Sequence, residues 1–81
     1  METITKEKES VLFPNLLAEL ARINMSKTQL ANEIEMSIST IYGKFKGETD
    51  WTLEDMDAVK RALEKNGCQE TSLDYLFRRS L

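Results

Sequence analysis

Lysines, a tyrosine and a run of small hydroxyls collect between residues 26 and 47. This is the stretch where basic side chains outnumber acidic ones: Lys27, Lys44 and Lys46 against Glu33 and Glu35. Ammonium groups reach phosphates, and Ser, Thr and Tyr hydroxyls donate or accept at a base edge. Parts for covalent chemistry are scarce. The 81 residues include no histidine, a single cysteine (Cys68) and no glycine-rich phosphate loop, so the usual components of metal sites and nucleophilic triads are missing. No enzyme activity, cofactor, metal or small-molecule ligand is expected. Eleven basic against fourteen acidic residues give a net charge of −3, which argues against holding nucleic acid by bulk electrostatics. Any such recognition has to be local.

The elements that would position these groups are short helices. A chain of 81 residues holds one domain, and 41% apolar with 31% charged residues is ordinary globular composition. Residues 1–12, with the run Lys6-Glu7-Lys8-Glu9, read as a frayed N-terminal arm or an extra turn, leaving a folded domain over 13–81. Pro14 opens the first helix, with Phe13 or Asn15 as cap, because a residue before proline avoids helical angles. Leu16, Leu17, Leu20, Ala21 and Ile23 carry it to about Asn24. Ser26 and Gln29 fit a capping box for a second helix with Leu30, Ala31 and Ile34 on its apolar stripe. Ser37 caps a third helix, and Gly47 suits its left-handed end. Thr52 and Asp55 repeat the capping signature, with Trp51 able to staple onto Met56; Met56, Val59 and Leu63 mark the fourth helix, which stops near Asn66 and Gly67. Ser72 caps a short last helix with Leu73, Leu76 and Phe77. The expected class is all-α with five helices. No stretch approaches the roughly 20 apolar residues of a membrane span, and no signal-type segment follows the start, so a cytoplasmic protein with a reduced Cys68 is expected.

Two short helices joined across about three non-helical residues match the helix-turn-helix layout, whose second helix lies in a DNA major groove. Helical geometry puts Ile41 and Phe45 on the inner face of the third helix, while Ser39, Gly43 and Lys46 point outward with Tyr42 at one flank. Ser37 and Thr40, near its start, are phosphate or base-edge candidates. The same geometry puts Ile38 near the core boundary, whereas likeness to helix-turn-helix regulators implies a place facing the bases, against a thymine methyl. Gly43 permits close backbone approach but costs up to about 1 kcal/mol of helix propensity. The first amides of the second helix, at Lys27 and Thr28, offer a seat for a backbone phosphate.

The run SKTQLANEIEMSISTIYGKFKGE resembles the helix-turn-helix of Cro and phage-repressor-type regulators. The likeness covers roughly residues 13–77, including the Pro14–Asn15 opening, the Lys-x-x-Gly exit at Gly47 and the short closing helix. It implies a compact five-helix domain of the lambda-repressor-like type, working as a homodimer on double-stranded DNA to regulate transcription. The expected DNA-binding residues are then Lys27, Thr28, Ser37, Ile38, Ser39, Thr40, Tyr42, Gly43 and Lys46. The pattern has a steric reason: Ala31 sits where two helices cross, faced by Ile41, and a larger side chain would force them apart. Three residues depart from it. Glu48 and Asp50 follow the third helix where similar regulators touch the sugar-phosphate chain, and they would repel phosphate. Glu35 stands where glycine is common, at a position that often takes positive φ, at a cost of roughly 1 kcal/mol.

Other residues carry plainer expectations. Phe13, Trp51, Tyr75 and Phe77 are scattered among apolar neighbours and read as core or interface rather than a stacking platform. Taken singly, Lys27, Lys44 and Lys46 read as solvated surface lysines, as do Arg22, Arg78 and Arg79 among the arginines. Glu54, Asp55 and Asp57 form a solvent-facing acidic side of the fourth helix. Leu73, Leu76 and Phe77 are the first candidates for a dimer surface, beside a core-packing role. An alternative function on the same scaffold is an acidic protein-interaction module, antirepressor-like or a DNA mimic, motivated by the acidic balance, Gly43, Glu48 and Asp50.

Overall fold

A hydroxyl opens four of the five helices, and a left-handed residue closes four of them. The computed structural model describes residues 12–80. The expected arm therefore lies outside the described residues apart from Leu12, which packs against the core and accepts a hydrogen bond from the Ser80 amide at 3.0 Å.

Helix α1 (Pro14–Arg22) starts on the preset φ of proline, and its N-cap Phe13 makes no side-chain bond. At α2 (Lys27–Glu33), Ser26 Oγ accepts from the Gln29 amide at 3.1 Å while Gln29 Oε1 accepts from the Ser26 amide at 2.8 Å. Helix α3 (Ile38–Lys46) starts at Ser37, whose Oγ accepts from the Thr40 amide at 3.2 Å. Helix α4 (Leu53–Lys65) carries the reciprocal Thr52–Asp55 pair, and α5 (Leu73–Leu76) is capped by Ser72. Each cap satisfies an otherwise orphaned amide and is worth about 1 kcal/mol.

The helix ends share one geometry. In each, the left-handed residue's amide returns to the carbonyl three residues back, and the next amide returns to the carbonyl five back. The pairs are Asn24 to Ala21 and Met25 to Leu20, Glu35 to Asn32 and Met36 to Ala31, Gly47 to Lys44 and Glu48 to Gly43, Gly67 to Glu64 and Cys68 to Leu63. Asn24 adopts φ 58°, so α1 stops at Arg22 rather than near Asn24. Glu35 also takes φ 58°, the strained conformation expected of it. The residue that follows is apolar and turned toward the core at Met25, Met36 and Cys68. After α3 it is the exposed Glu48.

Helix α2 packs on α3 and α4, and α5 packs on α1 and α4. Leu16, Leu30, Ala31, Ile41, Val59, Leu63 and Leu76 are wholly buried. A larger residue at Ala31 has nowhere to go. Trp51 meets Phe13, Phe45 and Phe77 edge to face, with ring centroids 6.3, 5.4 and 5.1 Å away. Its indole N–H is buried without an acceptor among the described residues. Leu76 is wholly buried and Phe77 stacks in this cluster, so both pack within the chain's own core, while Leu73 is half-buried. The described residues form no strand, and none of their helices is long and apolar enough to cross a membrane.

Candidate nucleic-acid interface

Helix α3 has an inner face of Ile41, Lys44 and Phe45, all buried, and an outer face that is open. Ile38 is 48% exposed and Tyr42 41%, so the choice left open for Ile38 resolves outward. Ser39 and Lys46 are exposed as well. The Ser39 hydroxyl, the Tyr42 hydroxyl and the Lys46 ammonium have no partner among the described residues. Ser37 and Thr40 differ: Ser37 Oγ donates to Thr40 Oγ1 at 2.7 Å, so both hydroxyls serve the cap while remaining exposed.

Lys27 and Thr28, the first residues of α2, are half-buried beside α3. The Lys27 ammonium lies 5.2 Å from the centre of the Tyr42 ring and 4.8 Å from that of Phe45. A cation over aromatic faces is worth about 0.5–1 kcal/mol at such a site, and it ties the outer Tyr42 to α2. With only seven residues in α2, the helix dipole is small beside this full charge.

A Cβ at Gly43 would sit 3.6 Å from Glu48 Oε1 and 3.8 Å from Thr49 Oγ1, ordinary contact distances, so side chains of the following loop stand beside the glycine. One expectation needs correction. Lys44 is not a solvated surface lysine. It is 8% exposed, and its ammonium lies 2.9 Å from Asp55 Oδ2 and donates to the Asp50 carbonyl at 2.8 Å. Asp55 is accordingly no member of a purely solvated acidic face. Partial burial pushes its carboxyl up, but the bonds from Lys44 and Thr52 prevail and hold it below the usual range. The signal for Lys44 was available: it follows Ile41 by three residues and so approaches the inner side of the helix.

Sequence reasoning missed Glu19. Its side chain is 5% exposed between α1 and α5, and it accepts from Tyr75 Oη at 2.7 Å, Arg22 Nε at 3.2 Å and Cys68 Sγ at 3.6 Å. The Tyr75 bond, countered by burial and reinforced by Arg22, holds the Glu19 carboxyl below its ordinary value. Burial, then the Glu19 carboxylate, pushes the Cys68 thiol up. Asn15 Nδ2 adds a bond to the Tyr75 carbonyl at 2.9 Å. An open cleft of about 540 Å³ lies beside these residues, and Glu19, Arg22, Cys68 and Tyr75 in its lining are bonded to one another, which fastens α1 to α5 and the chain before it. Among the described residues, no group of three Cys, Asp or Glu is arranged to hold a metal.

No family model matches the chain, and no curated protein and no solved structure does either.

Proposed function

We propose that the protein is a sequence-specific DNA-binding transcriptional regulator of phage-repressor type, acting in the cytoplasm as a homodimer on a two-fold operator. Helices α2 and α3 form its helix-turn-helix, within a lambda-repressor-like domain. The supporting observation is the outer stripe of α3: Ile38, Ser39, Tyr42 and Lys46 stand exposed while the opposite side is anchored in the core. In the major groove Ser39 and Tyr42 meet base edges, and Ile38 meets a thymine methyl. Lys27 and Lys46 meet phosphates, with Thr28, Ser37 and Thr40 at the backbone edge. Half-sites lie about 34 Å apart, and occupation of a promoter produces regulation.

The test is a mobility-shift selection from a random duplex pool, repeated between about 50 and 200 mM salt. Enriched sites with steeply salt-dependent retardation are expected; binding indifferent to salt overturns the reading. The alternative, an acidic protein-interaction module, draws support from the exposed Glu48 and the net charge of −3. It predicts that no duplex is retarded even at low salt.

A further inference from the structure

The end of α3 differs from the three other left-handed helix ends in one respect. Elsewhere the residue after the left-handed position is apolar and packs inward, whereas here it is Glu48, and the residue level with it on the helix is Gly43. The Glu48 amide donates to the Gly43 carbonyl at 2.9 Å, which folds the chain back beside α3 instead of beyond it. The Glu48 carboxylate then lies 3.6 Å from where a Gly43 Cβ would be. Residue 48 thus supplies the side chain that residue 43 lacks, on the same side of the helix as Ser39 and Lys46. The carboxylate is exposed and has no hydrogen bond or ion pair among the described residues.

We propose that Glu48 is a specificity-determining residue of the α3 face, accepting a hydrogen bond from an exocyclic amino group in the major groove, cytosine N4 foremost. An ionised carboxylate only accepts, so it matches a base edge that presents a donor and opposes the N7 and O6 acceptors of guanine. It also repels phosphate, so it weakens attachment to the wrong sequence while reading the right one. The inference rests on the DNA-binding reading above.

Duplexes selected from a random pool by the full chain, by Glu48→Ala and by Glu48→Gln distinguish the outcomes. The wild type is expected to fix a cytosine at one position of each half-site. Glu48→Ala is expected to lose that preference about fivefold or more, while binding unselected duplex more tightly at low salt. Glu48→Gln, which both donates and accepts, is expected to shift the preference toward adenine. If all three proteins select the same sites and the variants only bind everything more tightly, Glu48 merely repels phosphate and the inference fails while DNA binding stands. If the wild type retards no duplex, the DNA-binding reading fails and this inference with it.

Discussion

Between α1 and α5, and again along the outer side of α3, the chain places the same kinds of polar group, yet it treats them in opposite ways. Glu19 takes three donors, from Tyr75, Arg22 and Cys68, and is almost wholly buried. Ser39, the Tyr42 hydroxyl, Lys46 and the Glu48 carboxylate have no hydrogen-bond or ion-pair partner among the described residues. A buried polar group without a partner costs about 1–3 kcal/mol, whereas an exposed one is served by water and can exchange that water for a ligand. The difference between scaffold and site therefore lies in the partners already present, not in residue type. Lys44 and Lys46, two residues apart, show it within a single helix.

The largest expected effect falls on the partnered side. Glu19→Ala removes the acceptor shared by three donors and should cost about 2–4 kcal/mol of unfolding free energy in denaturant titration; on the proposed DNA-binding reading, retardation is preserved at temperatures where the variant is folded. The same carboxylate gives an acid dependence. Glu19 and Asp55 both titrate lower when folded than their ordinary values of 4.5 and 3.8, so the stability they contribute is present above those values. It disappears as pH falls through the lowered ones. Stability against thermal unfolding should therefore fall below about pH 4.5, and Glu19→Gln should be less stable at neutral pH but less sensitive to acid.

Next in size is Lys44→Met, which keeps the stem and removes the bonds to Asp55 and the Asp50 carbonyl. A loss of about 1–2 kcal/mol is expected in the same titration, because Asp55 is left partly buried without its cation. A loss below about 0.3 kcal/mol would assign Lys44 to the unpartnered group and blur the contrast.

The sequence displays the short-range devices well. The caps at Ser26, Ser37, Thr52 and Ser72 each need only the next three residues, and Gly47 and Gly67 mark helix ends by residue type. Asn24 gave no such mark, because an asparagine near a helix end reads equally as its last turn. The fastenings are a different matter. Glu19 meets Tyr75 across 56 residues, and nothing near either position announces the other. The outer residues of α3 follow from helical periodicity, but the place of Glu48 depends on the fold-back after Gly47. That fold-back was implicit in the glycine, and its effect on Gly43 emerges only when both bonds of the helix end are drawn.

Smaller still is Gly43→Ala. The added Cβ would lie 3.6 Å from Glu48 Oε1, an ordinary contact, and the backbone is helical. A gain of about 0.5–1 kcal/mol in stability is expected, with Glu48 left in place. Destabilisation would mean that the loop packs against α3 too tightly to admit a methyl, making Glu48 part of the scaffold.

Lys46→Ala carries the smallest stability effect and the clearest functional one. Its ammonium has no hydrogen-bond, ion-pair or ring partner among the described residues, so unfolding free energy should stay within about 0.5 kcal/mol of the wild type. If the protein binds DNA as proposed, loss of this phosphate contact should reduce the slope of log affinity against log salt by about 0.9 per chain, without changing which sites are selected. Lys27→Ala makes the useful control: its ammonium rests on the Tyr42 and Phe45 rings, so it should lower the slope and also disturb site choice through Tyr42. If Lys46→Ala instead lost more than about 1 kcal/mol of stability, that ammonium would belong with Glu19 and Lys44 among the groups that hold the fold, and the outer side of α3 would no longer be a free surface.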